Sequence, residues 1–133
     1  MITTIRPYKQ SDWETVLSWW KASGEMPPFE NMMPLDSSFV AEIDGKPALA
    51  VAIYLTNTKA AAYVENFIGN PDMKGSDRRQ AARELSDHLA KFAKERGYQC
   101  LFCMSEKDVL HKRYFELGFH PTLSGVTTFV RPI

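Results

Sequence analysis

Cysteine is scarce in this sequence, net charge is absent, and no long apolar run interrupts it. Two cysteines among 133 residues, Cys100 and Cys103, do not make a disulfide framework, which predicts a reducing, cytoplasmic setting. Sixteen Lys and Arg cancel sixteen Asp and Glu, so no global basic field is available to hold nucleic acid or an acidic membrane surface. No stretch approaches the ~18 apolar residues of a membrane span. No basic-then-apolar leader opens the chain, so export is not expected. A metal site is not expected either. Within a strand the odd separation of Cys100 and Cys103 turns them to opposite faces, as ordinary buried residues, and no second CxxC or suitably spaced His accompanies them.

The charge that is present is unevenly placed. Residues 1–70 hold five basic and eight acidic side chains, and residues 71–133 hold eleven and eight. The basic excess sits in residues 74–83, where Lys74, Arg78, Arg79 and Arg83 face Asp77. Such a window suits a polyanion. An apolar fraction of 44% and a length of 133 residues predict one folded domain, 1–133.

Residues 2–7 carry the β-branched pattern of a short strand stopped by Pro7. Ser11 and Glu14 have capping-box spacing ahead of Trp13, Val16, Leu17 and Trp20, a helical stripe that ends at Gly24; Trp19 falls off that stripe. Residues 24–37 hold three prolines and three methionines, the composition of a loop or broken helix with adaptable apolar groups. Phe29, Met32 and Met33 are its candidate substrate-binding residues. They serve equally well as a plug on the core. Asp44-Gly45 between apolar runs predicts a tight hairpin, followed by a further strand over 60–68. Ala81, Leu85, Leu89 and Phe92 define a long helix up to Gly97; residues 98–104 read as a strand, and a shorter helix closes at Gly118. Residues 119–123 and 126–130 read as a last pair of strands around Ser124-Gly125. This is a mixed α/β layer architecture with a mostly antiparallel sheet.

The order of elements resembles the GNAT superfamily of N-acetyltransferases over essentially the whole chain. Four strings carry the resemblance. They are the opening Ile5-Arg6-Pro7 before Ser11-Asp12, the hairpin from Phe39 to Lys46, the run Tyr63-Val64-Glu65-Asn66-Phe67-Ile68-Gly69-Asn70-Pro71, and the helix ending Tyr114-Phe115-Glu116-Leu117-Gly118-Phe119. The resemblance implies six to seven strands and about four helices, with the fourth and fifth strands parallel and splayed. It also implies direct transfer of an acetyl group from acetyl-CoA to a primary amine of a small molecule or peptide, without a metal. Dimerisation is common in the family.

By the same resemblance Tyr114 corresponds to the acid that protonates the leaving thiolate, a role its ordinary pKa of ~10 permits. Its alternative is a ring packed in the core. Glu65 matches a position that serves relatives as general base, and its alternative is a solvent-facing strand residue. Strict alternation would set Glu65 on one face with Tyr63 and Phe67. A backbone N–H of Phe67 or Ile68, beside Gly69, would polarise the thioester carbonyl. His111 stands one helical turn before Tyr114.

The family's phosphate-binding loop is altered here. Counting forward from Pro71 starts it at Lys74-Gly75; counting back from Leu85 and Gly97 places it at residues 77–82. In the second register Ala82 fits a small-residue position, and Gln80 stands where glycine is expected. Arg78 and Arg79 have the guanidinium geometry to hold phosphate oxygens instead. Lys107-Asp108 replaces an asparagine of many relatives, and that role is not carried over. The glycine-poor loop also fits a second class of function, a non-catalytic protein of the same fold that binds a partner, has a structural role or senses acyl-CoA.

Overall fold

The computed structural model describes residues 1–105 and 108–133, and the side chains of all of these except 108–111. The chain runs β1 (Thr3–Pro7), α1 (Trp13–Ser23), β2 (Ser38–Ile43), β3 (Lys46–Tyr54), β4 (Ala61–Gly69), α2 (Gly75–Glu95), β5 (Cys100–Phe102) and α3 (Asp108–Glu116). Short 3-10 turns lie at Gln10–Asp12 and Glu30–Met32.

The strands form one sheet in sequence order, antiparallel from β1 to β4 and parallel between β4 and β5. Pro7 is tolerated because β1 is the sheet's edge, where a missing N–H leaves no ladder bond unmade. The β2–β3 hairpin turns on Asp44 and Gly45, whose φ angles of 49° and 80° are the positive pair that matches strand twist. Asp44 also ties down the chain start: its carboxylate accepts from Ile2 N–H at 2.8 Å, and its own N–H donates to the Ile2 carbonyl at 2.8 Å.

β3 explains its own unbroken apolar run, because both of its faces are covered. Leu49, Val51 and Ile53 meet Ala81, Leu85, Leu89 and Ala93 of α2, while Ala50 and Ala52 meet Val16, Trp19 and Trp20 of α1. Fully buried side chains such as Ile53, Leu85 and Val16 contribute roughly 1.5–3 kcal/mol each by leaving water. Trp19 is 5% exposed, so it belongs to the core although it falls off the helical stripe. Asp12, not the Ser11–Glu14 pair, makes the capping contact, and it closes the 3-10 turn Gln10–Asp12 ahead of α1 rather than α1 itself. Its carboxylate accepts from Lys9 N–H at 2.8 Å and from the Arg6 guanidinium in two bonds of 2.8 Å. Arg6 holds the Asp12 carboxyl below the usual carboxylate range.

Three expectations are corrected. Among the described residues the sheet has five strands and the chain three α-helices, in place of six to seven strands and about four helices. Residues 119–123 and 126–130 are not strands. A strand exists only through its ladder, the sheet ends at the three-residue β5, and Phe129 is left 92% exposed. Cys100 is exposed, and Cys103 lies beyond the end of β5.

Candidate functional site

β4 and β5 pair over Ala61–Cys100, Ala62–Leu101 and Tyr63–Phe102 and then part. The second half of β4 therefore faces no β5 partner, because β5 ends at Phe102. A bulge shapes this half. Ala50 lies opposite Ile68 but Ala52 opposite Glu65, so β4 spends one extra residue there. The extra residue is Asn66, whose φ of 57° is in the left-handed region that Asn tolerates better than most side chains. The bulge overturns strict alternation. Val64 and Phe67 both pack toward α2, whereas Ile68 lies in the α1-side core.

On the α2 side of this unpaired half of β4 a cleft of about 290 Å³ opens, walled by Val64, Phe67 and Gly69 of β4, one face of α2, and the end of α3. From α2 come Gly75, Arg78, Arg79, Ala82 and Arg83, at the i, i+3, i+4 spacing of one helix face. The end of α3 adds Arg113 and Tyr114, followed by Phe119. None of Arg79, Arg83 and Arg113 forms an ion pair with a carboxylate among the described residues. Three cations at one mouth, next to the positive end of α2, make this the natural place for an anionic group.

Helix α2 begins at Gly75, with the N–H groups of Asp77 and Arg78 donating to the Lys74 carbonyl at 3.1 and 3.0 Å. Lys74-Gly75, where the forward count from Pro71 starts the loop, stands at the helix start, and residues 77–82 lie inside the helix. Asn70 builds the connection. Its side chain accepts from Asp72 N–H at 2.9 Å and donates to the Pro47 carbonyl at 3.0 Å, and its own carbonyl accepts from Arg78 Nη1 at 2.7 Å. Arg78 is therefore partly committed to the loop. Gly69 belongs to the same contact, since a Cβ there would meet Arg78 Cδ and Leu49 Cδ2 at 3.2 Å.

The expected residues separate into those the fold gathers and those it does not. Phe67, Gly69, Gly75, Arg78, Arg79, Ala82 and Tyr114 line the cleft. Lys74 is exposed beside it, and Gln80 turns along α2 to donate to Glu84 Oε1 at 3.3 Å. Met33 is buried in the α1-side core, whereas Phe29 and Met32 are exposed, together with Met26 and Leu35 of the same loop. The side chain of His111 lies outside the described residues. Arg113, Ser86 and Asn70 were not singled out by sequence. Ser86 Oγ donates to the Leu117 carbonyl at 3.0 Å and joins α2 to α3, a contact with no local signature.

Electrostatics link the two candidate catalytic groups. Burial pushes the Tyr114 hydroxyl above its ordinary pKa, and the Cys103 thiol and Glu65 carboxylate push it further. Burial also raises Glu65 above the usual carboxylate range. Cys103 is raised by burial and by Glu65, so its thiol is held protonated. The ring of Tyr114 stacks edge-on with Phe119 at 6.0 Å, and Phe119 N–H donates to the Tyr114 carbonyl at 3.0 Å past Gly118, whose φ is 91°.

This five-stranded sheet, antiparallel but for its β4–β5 pair, is a fold shared with solved acetyltransferases. No family model and no curated protein matches the sequence. Solved structures do. One is a predicted acetyltransferase from Clostridium acetobutylicum with acetyl-CoA, with 18% identity, 96% of each chain covered and a TM-score of 0.69. An acetyltransferase from Trypanosoma brucei has 17% identity over 97% of this chain and 100% of its own, with a TM-score of 0.70. Glucosamine-6-phosphate N-acetyltransferase from Arabidopsis thaliana has 13% identity over 98% and 100%, with a TM-score of 0.67.

Proposed function

We propose that this chain is an acetyl-CoA-dependent N-acetyltransferase that acts by direct transfer to a primary amine of a small molecule or protein. The observation that carries the reading is a partly buried phenol, Tyr114, that lines an arginine-rimmed cleft and feels the charge of a half-buried carboxylate, Glu65, which does not itself line the cleft. The cleft's chemistry fits the donor: its apolar floor of Leu49, Val64 and Phe67 suits a thin aliphatic arm, and its cationic mouth suits phosphates. Arg79, Arg83 and Arg113 would hold the phosphates with the start of α2. When bound, acetyl-CoA supplies the activated acyl thioester.

The chain's own groups supply the rest. Glu65, with its raised pKa, accepts the amine proton as attack proceeds. A backbone N–H of Phe67 or Ile68, just past the bulge in β4, would receive developing oxyanion charge. Tyr114 holds its hydroxyl proton for the departing sulfur, and its raised pKa keeps it a donor at neutral pH.

The test is release of free thiol from acetyl-CoA in the presence of a panel of polyamines, aminoglycosides and lysine-bearing peptides. Turnover above hydrolysis with at least one amine is expected. Tight CoA binding without turnover would favour instead the acyl-CoA-binding, non-catalytic role, which the lack of glycine between Gly75 and Gly97 motivates.

A further inference from the structure

The bulge in β4 does more than turn Phe67 into the cleft. The Asn66 side chain, on the extra residue, reaches out of the sheet to the 24–37 segment. Asn66 Nδ2 donates to the Met32 carbonyl at 3.0 Å and to the Tyr54 hydroxyl at 2.8 Å, and that hydroxyl donates to the same Met32 carbonyl at 2.9 Å. Met32 closes a 3-10 turn, Glu30–Met32, and the next residue, Met33, is buried in the α1-side core. On the other side of the turn Glu30 accepts a hydrogen bond from the Gln10 side chain. The tip of an otherwise proline-broken loop is therefore pinned by Met33 from below and by the Asn66–Tyr54 pair from the sheet.

Position gives this contact its consequence. Asn66 directly follows Glu65, and Tyr54 feels the Glu65 carboxylate electrostatically. Phe29 is 74% exposed and Met32 is partly exposed, so the pinned turn presents apolar surface. Glu65 forms no ion pair among the described residues. One backbone irregularity thus sets the loop tip beside the carboxylate and, one residue on, the strand that faces the cleft.

We infer that Asn66 and Tyr54 are positioning residues for the acceptor: they latch the 24–37 segment against β4 as the acceptor's wall. The acceptor this wall suits is a cationic amine with an apolar body, its nitrogen toward Glu65 and its carbon frame against Phe29 and Met32. The inference rests on the acetyltransferase reading for the identity of the reaction. The latch itself stands on the three hydrogen bonds.

The experiment compares Tyr54→Phe and Asn66→Gly with the parent protein. Glycine keeps the positive φ open and removes only the amide, so the strand is spared. Amide exchange at residues 29–36 is expected to accelerate about tenfold in each variant, the equivalent of one lost hydrogen bond, with α2 unchanged. The rise in Tm on adding acetyl-CoA should persist. For the best amine of the panel, KM for the amine should increase about fivefold or more while kcat and KM for acetyl-CoA hold. Unchanged loop exchange in both variants overturns the latch. A fall in kcat at constant amine KM overturns the acceptor role and makes the contact merely structural. If no amine in the panel is acetylated by the parent, the reaction reading and the acceptor role fail together, while exchange still decides the latch.

Discussion

Replacing Tyr114 by Phe separates chemistry from packing. The substitution removes one oxygen and leaves the ring, with its edge-on contact to Phe119 at 6.0 Å. Tyr114 is only partly buried, and its hydroxyl makes no hydrogen bond with the described residues, so no donor or acceptor is orphaned. Stability should therefore move by less than about 0.5 kcal/mol, too little to shift Tm by more than a few degrees. If the hydroxyl supplies the proton to the departing sulfur, kcat should drop by about 10²–10⁴, or roughly 3–5 kcal/mol of transition-state stabilisation. The pH profile should change as well. In the parent protein the acid is lost only above the ordinary tyrosine range of ~10, because burial, Cys103 and Glu65 all favour the protonated phenol. That alkaline limb should vanish in the variant. Thiol release, followed from pH 5 to 11 at saturating acetyl-CoA alongside a thermal melt, reads both quantities. A variant that melts with the parent and retains kcat within about threefold would refute an acid role for Tyr114.

Glu65→Gln should lower kcat at neutral pH by about 10²–10⁴ and remove the acidic limb of the profile, which in the parent should lie above the usual carboxylate range. Its effect on stability has the opposite sign. The folded pKa is raised, so the folded state binds the proton more tightly than the unfolded chain, and stability falls as pH rises from the unfolded pKa through the folded one. Above that window Glu65→Gln should melt higher than the parent, with no gain at pH 3. Arg79→Ala with Arg83→Ala should reduce the acetyl-CoA-induced rise in Tm, and the loss should shrink at high salt, while the apo Tm changes little because both side chains are exposed.

What could be read in the sequence was whatever short-range chemistry decides. Asp44-Gly45 specifies its hairpin because two adjacent positive φ angles suit few other pairs. The run through β3 demands cover on both faces, and the Ala81, Leu85, Leu89 spacing provides one of them. Gly24 and Gly118 end their helices for the same local reason. These elements, with the Tyr114-to-Phe119 ending, were enough to point to the fold. Tertiary structure decided what depends on partners. Trp19 is core because it packs with Val40, Ala50, Ala52 and Ile68 on the α1-side face of the sheet, not because it sits on a stripe. Residues 119–130 have strand composition without a ladder to join. The β4 bulge is written in no periodicity, yet it sends Phe67 to the cleft and Asn66 to the loop. The basic window was visible as charge from the start. Only the packing of α2 against β4 and α3 selected Arg79, Arg83 and Arg113 as one rim and turned Gln80 away, because which face a helix shows to a cleft is fixed by what it buries.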